Sequence, residues 1–288
     1  MQAIRQATAN QASNQAGDVD RGTGDALSAR SAAFPGRQDK PVAMSLTALR
    51  RELLSTDPDA NANGLRRVAR QLTTDSVTNE RPVDWQARRN ALAEYEPRLL
   101  ALAQSDDATL RELAADALGG WQGAAALELL LKLAEDPSDR VRASAVGALE
   151  AWPHDARVVD VLLNAGLAPH WTVRSRAARA LAKMPGSDVD SVLLECLVDP
   201  DGFVRINAAE SLKQRDPAVY LERLRRMADY PAPHLLDGAM DLLGAVGNET
   251  DAKWLQKAGS LFNLSQPPFI RDWARKAARQ IRLRQKAK

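Results

Sequence analysis

The sequence predicts an all-α protein in which helical hairpins stack into an array, and three observations carry that prediction. A motif that contains an apolar-Arg pair, then small residues and then a Leu occurs four times. The shared Leu is Leu118, Leu149, Leu181 and Leu212. The intervals of 31, 32 and 31 residues are typical of stacked repeats. Only 5% of the 288 residues are aromatic, whereas Ala and Leu, which favour helices over sheets, are abundant.

Each repeat is predicted to contain two antiparallel helices. The first helices are rich in Leu or Val and are predicted over residues 98–104, 125–135, 158–166 and 189–198. The second helices carry the motif itself. In the motif of residues 136–152, Val141, Ala145, Val146 and Leu149 fall on one helical face. One hairpin cannot bury this face alone, so its burial requires the next hairpin.

The chain divides into three predicted regions. Residues 1–43 are rich in Gln, Asn, Ala, Ser and Gly, and this composition predicts a disordered arm. Residues 44–96 are predicted to form a divergent helical cap. Its first helix carries four leucines on one face, Leu46, Leu49, Leu53 and Leu54. A turn over DPDANANG (57–64) and a helix over 65–72 are predicted to follow. Residues 97–288 are the repeat array, which ends in a basic helix.

Two motifs carry a resemblance to a known repeat. DPSDRVRASAVGALEAW (136–152) and DPDGFVRINAAESLKQR (199–215) resemble the HEAT-like repeats named after phycobilisome lyases, in which D-P-x-x-x-V-R precedes an Ala-rich helix that ends in Leu. The resemblance extends over residues 98–215. It implies a right-handed α-solenoid of helical hairpins, used mainly for binding proteins, with the second helices on the concave face. It implies no particular partner or activity.

Composition and cysteine content predict a cytoplasmic protein that does not associate with a membrane. The chain is 45% hydrophobic and 26% charged, as is usual for soluble proteins. The single cysteine, Cys196, cannot form an internal disulfide, which favours a reducing compartment. No apolar run approaches the roughly 18 residues of a membrane span, and the first residues lack the apolar segment of a secretory signal.

The sequence contains no recognisable catalytic constellation. The histidines are His154, His170 and His234, all near predicted turns and none at the spacing of a metal-ligand pair. No G-x-x-x-x-G-K-[ST] phosphate loop occurs. We therefore predict a protein that is not an enzyme and that binds no cofactor and no metal.

A column of arginines is the most regular polar feature of the repeats, formed by Arg111, Arg142, Arg174 and Arg205. It could grip an anionic ligand, or each arginine could pair with a corner carboxylate such as Asp106, Asp136 or Asp199. The second interpretation is favoured, because arginine suits partly buried, hydrogen-bonded pairing. The corner at Ala168 and Pro169 lacks a carboxylate, which leaves the pairing there open.

Side chains beside the apolar stripe of the second helices are predicted to face a partner. They form two rows: Leu113, Ser144, Arg176 and Asn207, and then Asp116, Gly147, Arg179 and Glu210. Trp121 and Trp152, which recur at motif ends, are expected to pack between hairpins, whereas Trp171 at an irregular corner is expected to be exposed. The predicted partner-binding residues are Asp116, Trp171, Arg176, Arg179, Asn207 and Glu210. An ordinary solvated face is the alternative interpretation.

The charge distribution suggests a second binding mode at the end of the chain. From residue 271 to residue 288 there are eight basic residues and one acidic residue. A helix with Arg275, Arg279 and Arg282 along one side could neutralise the phosphates of a nucleic acid. The alternative is a solvated basic helix that covers the end of the array. Its positive charges interact favourably with the negative end of its own helix dipole.

Three functional hypotheses follow from the sequence. The first is a non-catalytic scaffold or adaptor that binds a protein partner on the concave face of the solenoid. The second is a nucleic-acid-binding protein that uses the basic C-terminal helix. The third, a lyase-like tetrapyrrole chaperone or enzyme, is implied by the name of the resembling family alone.

Overall fold

The computed structural model describes residues 46–72, 85–227, 237–258 and 268–287. Within these ranges the chain forms helices and turns and has no β-strand. The predicted disordered arm of residues 1–43 lies outside the described residues.

The described helices follow one another along the chain as successive hairpins. Their bounds are α1 (Leu46–Leu53), α2 (Pro58–Leu72), α3 (Trp85–Leu92), α4 (Glu96–Leu102), α5 (Ala108–Trp121), α6 (Ala124–Leu133), α7 (Asp139–Ala148), α8 (Ala156–Ala165), α9 (Trp171–Ala180), α10 (Ser187–Cys196), α11 (Gly202–Lys213), α12 (Pro217–Met227), α13 (Asp237–Val246), α14 (Glu249–Ala258) and α15 (Pro268–Lys286).

The helices form two layers. The second helices of the hairpins, α2, α5, α7, α9, α11, α13 and α15, pack side by side in chain order. Each also packs against the first helix of its own hairpin: α1, α4, α6, α8, α10, α12 or α14. We call these the second-helix layer and the first-helix layer. This arrangement confirms the prediction of an all-α repeat array.

The core lies between the two layers and between successive second helices. The repeated leucines of the motif, Leu118, Leu149, Leu181 and Leu212, have no solvent-exposed surface. The alanines that precede each of them by four residues are also fully buried, and their small size lets neighbouring second helices approach closely. Burying one leucine stabilises a fold by roughly 1.5–3 kcal/mol. The repeat therefore recurs because each hairpin must supply these contacts to the next.

The prediction of a turn over residues 57–64 is wrong, because α2 begins inside this segment at Pro58. Proline is favourable at the start of a helix, because the amide hydrogen that it lacks would have no hydrogen-bond partner within the helix there. Asn61 is buried. Its side-chain amide donates to the Asp57 carbonyl at 3.0 Å, and its side-chain oxygen accepts from Arg98 at 3.2 Å. These contacts hold a segment of turn-forming residues in a helix.

Helix α1 buries only part of the face predicted for it. Leu49 and Leu53 are fully buried, but Leu54 is 55% exposed. Leu54 follows the last residue of the helix, so it does not continue the helical face. None of the described helices is both long and apolar enough to cross a membrane.

Candidate functional site

The arginines of the repeated column hold successive hairpins together. Arg174 donates from one terminal nitrogen to the carbonyls of Ala168 and Pro169, at 2.8 and 2.7 Å. Its other nitrogens donate to the two carboxylate oxygens of Asp199, at 2.6 and 2.9 Å. Arg174 thus joins the corner of its own hairpin to the corner of the next one.

Arg111 and Arg205 repeat this geometry. Arg111 donates to both oxygens of Asp136, at 2.8 and 3.0 Å. Arg205 donates to both oxygens of Asp237, at 2.6 and 3.2 Å. Burial raises the pKa of the Asp136 carboxyl, but the Arg111 guanidinium and the Ser138 amide outweigh this effect, so the pKa lies below its ordinary value.

Arg142 differs because the corner of the next hairpin has no carboxylate to offer. It pairs instead with Asp139 on its own helix. It also donates to the carbonyls of Asp136 and Pro137, at 2.7 and 3.1 Å. All four arginines of the column are therefore engaged in contacts within the array.

Two positions of the predicted partner-facing rows are buried. Ser144 is 5% exposed and Gly147 is also buried. A Cβ atom at Gly147 would lie 3.4 Å from the Arg176 Cδ, which shows that this side chain of α9 lies over α7. The two predicted rows are therefore interrupted at α7, which carries small residues that its neighbours cover.

Asn207 and Glu210, on α11, already have partners within the protein. Asn207 donates to the hydroxyl oxygen of Ser175 at 2.7 Å, a contact that joins α11 to α9. Glu210 accepts from Lys213 at 2.7 Å, and Lys213 also donates to Asp241 on α13 at 2.7 Å. Glu210 remains largely exposed, whereas Asn207 is half-buried and serves the packing of two helices.

Arg176 and Arg179, on α9, present exposed guanidinium groups. Among the residues that the structure describes, no carboxylate lies within 4.0 Å of either group. Both guanidinium groups interact electrostatically with Asp116 on α5. Burial raises the pKa of Asp116, against the opposing effects of a hydrogen bond with Ser144 and of the two guanidinium groups. Asp116, Arg176 and Arg179 thus interact across α7 without direct ion pairs.

Exposed apolar side chains lie at the starts of α9 and α11. Trp171 is 40% exposed and Phe203 is 59% exposed. Their rings stack with centroids 5.7 Å apart and an interplanar angle of 24°. Ile206, one turn after Phe203, is 51% exposed. We call Trp171, Phe203, Ile206, Arg176 and Arg179 the α9–α11 surface.

Sequence reasoning identified Trp171 but missed Phe203 and Ile206. For Phe203 a signal was available in the sequence. It occupies the position of Arg140 and Thr172 in the two preceding motifs, outside the buried stripe, so a large apolar residue there indicates an exposed apolar side chain. Ile206 replaces Ala143 and Ser175, which are buried, so the comparison of motifs gives no signal for its exposure.

The basic residues of α15 are partly engaged with the rest of the array. Arg275 pairs with Asp272 on the same helix. Arg282 donates to the side-chain oxygen of Gln256 on α14 at 2.5 Å. Arg279 is exposed. Two of the three residues predicted to bind phosphates therefore contact neighbouring side chains.

The only cysteine of the sequence is buried. Cys196 is 2% exposed, and burial raises the pKa of its thiol to about 12. A thiol with this pKa is protonated at neutral pH and is a poor nucleophile. No group of three or more His, Cys, Asp or Glu residues in the described part of the chain could hold a metal ion.

A groove of about 470 Å³ lies in the last third of the array, away from the predicted rows. Its lining residues are Glu222, Arg225, Leu243, Asn248, Thr250, Asp251 and Trp254. Arg225 donates to both carboxylate oxygens of Asp251, at 2.8 and 2.9 Å. The charges in this groove are therefore largely satisfied by each other.

Comparison with protein families identifies the repeat. Models of HEAT repeats match residues 95–182, 128–213 and 159–239, which together cover just over half of the chain. The chain belongs to the HEAT-repeat family. This finding confirms the resemblance seen in the motifs. No curated protein gives a significant match to the HEAT-repeat chain.

Solved structures of other repeat proteins are similar to this HEAT-repeat protein. A designed armadillo repeat protein in complex with the peptide (KR)4 has a TM-score of 0.48 and 16% identity, over 70% of this chain and 99% of that one. The complex of CpcE and CpcF of phycocyanin lyase from Nostoc sp. PCC7120 has a TM-score of 0.45 and 18% identity, over 82% and 92%. At these identities the likeness concerns the fold.

Proposed function

We propose that this HEAT-repeat protein is a non-catalytic adaptor that binds a protein segment on its second-helix layer, at the α9–α11 surface. The observation that supports the proposal is the stacked, exposed pair Trp171 and Phe203. Trp171 lies on α9, the helix that also carries the exposed Arg176 and Arg179. Exposed apolar patches on soluble proteins commonly mark binding sites, and Trp and Arg are enriched among residues that dominate binding energy.

The dimensions of the surface suit a short extended segment. Arg179 lies eight residues after Trp171 on α9, which corresponds to about 12 Å along a helix. An extended chain spans about 3.3 Å per residue, so roughly four residues connect the aromatic pair with the guanidinium groups. One segment could therefore contact both parts of the surface.

A capture experiment with matched variants tests this proposal. Native cell extract is passed over the immobilised full-length chain, its double variant Trp171→Ser/Phe203→Ser, and a control, Val219→Ser/Trp254→Ser. The control residues are similarly exposed but lie on α12 and α14 in the first-helix layer. Partners held by the unchanged chain and the control should be lost by the first variant. Retention of the same partners by all three proteins would place the binding site elsewhere.

A second candidate is nucleic-acid binding through α15. It is favoured by the eight basic residues after residue 270 and by the exposure of Lys276 and Arg279. Titration of a labelled oligonucleotide at several salt concentrations tests it, because phosphate contacts give a steep negative slope of log affinity against log salt. Arg279→Gln should reduce that slope if the helix binds phosphates.

A further inference from the structure

The charges around α9 favour a particular chemistry for the partner. We infer that the α9–α11 surface recognises an acidic protein segment, in which a carboxylate binds Arg176 and Arg179 while an apolar side chain packs on Trp171 and Phe203. This inference rests on the proposed function and adds the chemical class of the ligand. It follows from three features of the surface: its two arginines, the neighbouring Asp116, and the carboxylates on the flanking helices.

The two arginines differ from those of the repeated column. Arg111, Arg174 and Arg205 each bind a carboxylate of the next hairpin through two hydrogen bonds. Arg176 and Arg179 are exposed, and no described carboxylate lies within 4.0 Å of them. The planar guanidinium matches the two oxygens of a carboxylate. A partner can therefore supply the same contact that the array supplies to its own column.

Asp116 acts as an internal counter-charge for this pair. It lies two second helices before α9 in the unbroken second-helix layer and interacts with both guanidinium groups from across α7. A carboxylate of a bound segment would share the same positive charge with Asp116. Removing the Asp116 charge should therefore strengthen the binding of an acidic ligand, which a purely structural role for Asp116 would not predict.

The surroundings favour a protein segment over a nucleic acid. Other second helices carry Glu112 and Asp116 on α5, two second helices before α9, Glu210 on α11, the next one, and Asp241 on α13. Packed helices lie about 8–10 Å apart, so these carboxylates limit the positive patch to the few helices around α9. A nucleic acid carries a negative charge on every nucleotide and needs a basic groove that follows its backbone. One or two carboxylates fit a patch of this width.

A peptide selection on the full-length protein tests this inference. The probe is a phage library of random 12-residue peptides, and the best binder is then synthesised with a fluorophore for anisotropy titrations. We expect enriched peptides to contain Asp or Glu within about four residues of a large apolar residue. Replacing those acidic residues by Gln or Asn in the synthetic peptide should weaken its binding about tenfold.

Variants of the protein make the test specific. Arg176→Gln/Arg179→Gln should lower the affinity about tenfold, since two exposed charge contacts are lost. Asp116→Asn should raise it about threefold. The control Lys132→Gln/Arg226→Gln removes the same charge from exposed positions of α6 and α12 in the first-helix layer. It should leave the affinity unchanged. The substituted residues are exposed, apart from Asp116, which is half-buried. Thermal melts establish that each variant is folded.

The outcomes separate this inference from the proposed function. Enrichment of neutral or basic peptides at the same surface would overturn the acidic ligand but leave the adaptor function standing. So would equal binding by the Arg176→Gln/Arg179→Gln variant. Displacement of the peptide by a 12-nucleotide oligo-dT would assign the surface to nucleic acids. If no peptide were enriched over a bare support, both the inference and the proposed function would be wrong.

Discussion

At the scale of single residues, the size of the side chain at helix contacts controls how the second helices pack. A Cβ atom at Gly120 on α5 would lie 2.5 Å from the Leu72 Cβ and 2.9 Å from the Leu72 backbone. A Cβ atom at Gly147 on α7 would meet only the flexible Arg176 side chain, at 3.4 Å. Both glycines are buried within helices. They differ in whether the neighbour that faces them can move.

This difference predicts opposite effects of two alanine substitutions. Gly120→Ala should lower the free energy of unfolding by about 1–3 kcal/mol, because it forces α5 away from the α2 backbone. Gly147→Ala should raise it by up to about 1 kcal/mol, because alanine favours a helix more than glycine does. Urea denaturation of both variants measures these changes. Equal effects would show that helix propensity alone, and not contact distance, decides the outcome.

At the scale of helices and corners, three of the four arginines of the column connect their hairpin to the next one. The column works because an arginine in the first turn of one second helix reaches a carboxylate 25 or 32 residues later. Arg174 and Asp199 have side chains that are 15% and 8% exposed. Arg157 and Glu128 form a pair whose side chains are 54% and 64% exposed. The buried pair should therefore contribute more to the free energy of unfolding than the exposed pair.

We predict that Arg174→Ala lowers the free energy of unfolding by about 3 kcal/mol, because it leaves the Asp199 carboxylate buried without its cation. Arg157→Ala should have a much smaller effect, because water solvates the Glu128 and Asp155 carboxylates that remain. Chemical denaturation monitored by helical circular dichroism gives both values. A loss for Arg174→Ala no larger than that for Arg157→Ala would contradict the structural role of the column.

The α2 segment forms a helix although its first residues favour turns. Residues 57–64 contain Asp, Pro, Asn and Gly, which favour turns. The buried Asn61 instead donates to the backbone carbonyl of Asp57, just before the helix, and accepts from Arg98 on α4. A local pattern cannot reveal a hydrogen-bond partner that lies 37 residues away. For this reason the predicted helix began at Leu65, whereas α2 begins at Pro58.

At the scale of the whole molecule, buried carboxylates make stability depend on pH. The pKa of Asp136 is lowered, and so is that of Asp251, where contacts with Arg225 and the Asn248 amide outweigh burial. In the unfolded chain these groups return to an ordinary carboxyl pKa near about 4. At low pH the unfolded chain therefore binds more protons than the folded protein does. Asp116, whose pKa is raised, acts in the opposite direction.

Stability from Asp136 and Asp251 should be fully present above the ordinary carboxyl pKa and lost as the pH falls through their lowered pKa values. Urea denaturation at a series of pH values from 7 to about 2.5 measures this loss. In Asp251→Asn the free energy of unfolding should be lower at pH 7 and should fall less on acidification. An identical pH profile in the variant and the unchanged chain would show that this ion pair does not contribute.

The sequence by itself determined that the protein is an array of helical hairpins, because the repeated leucines and alanines set the helical face that each hairpin must bury. It also led to the prediction that Arg176, Arg179 and Trp171 face a partner. Only the tertiary structure decided which charges are used within the array and which remain exposed. Arg174 binds a carboxylate because the corner of the next hairpin places Asp199 beside it. The corner after Arg142 carries no carboxylate, so Arg142 pairs with Asp139 on its own helix. Pairing depends on what the neighbouring hairpin places within hydrogen-bond distance, and that distance is set by packing between hairpins.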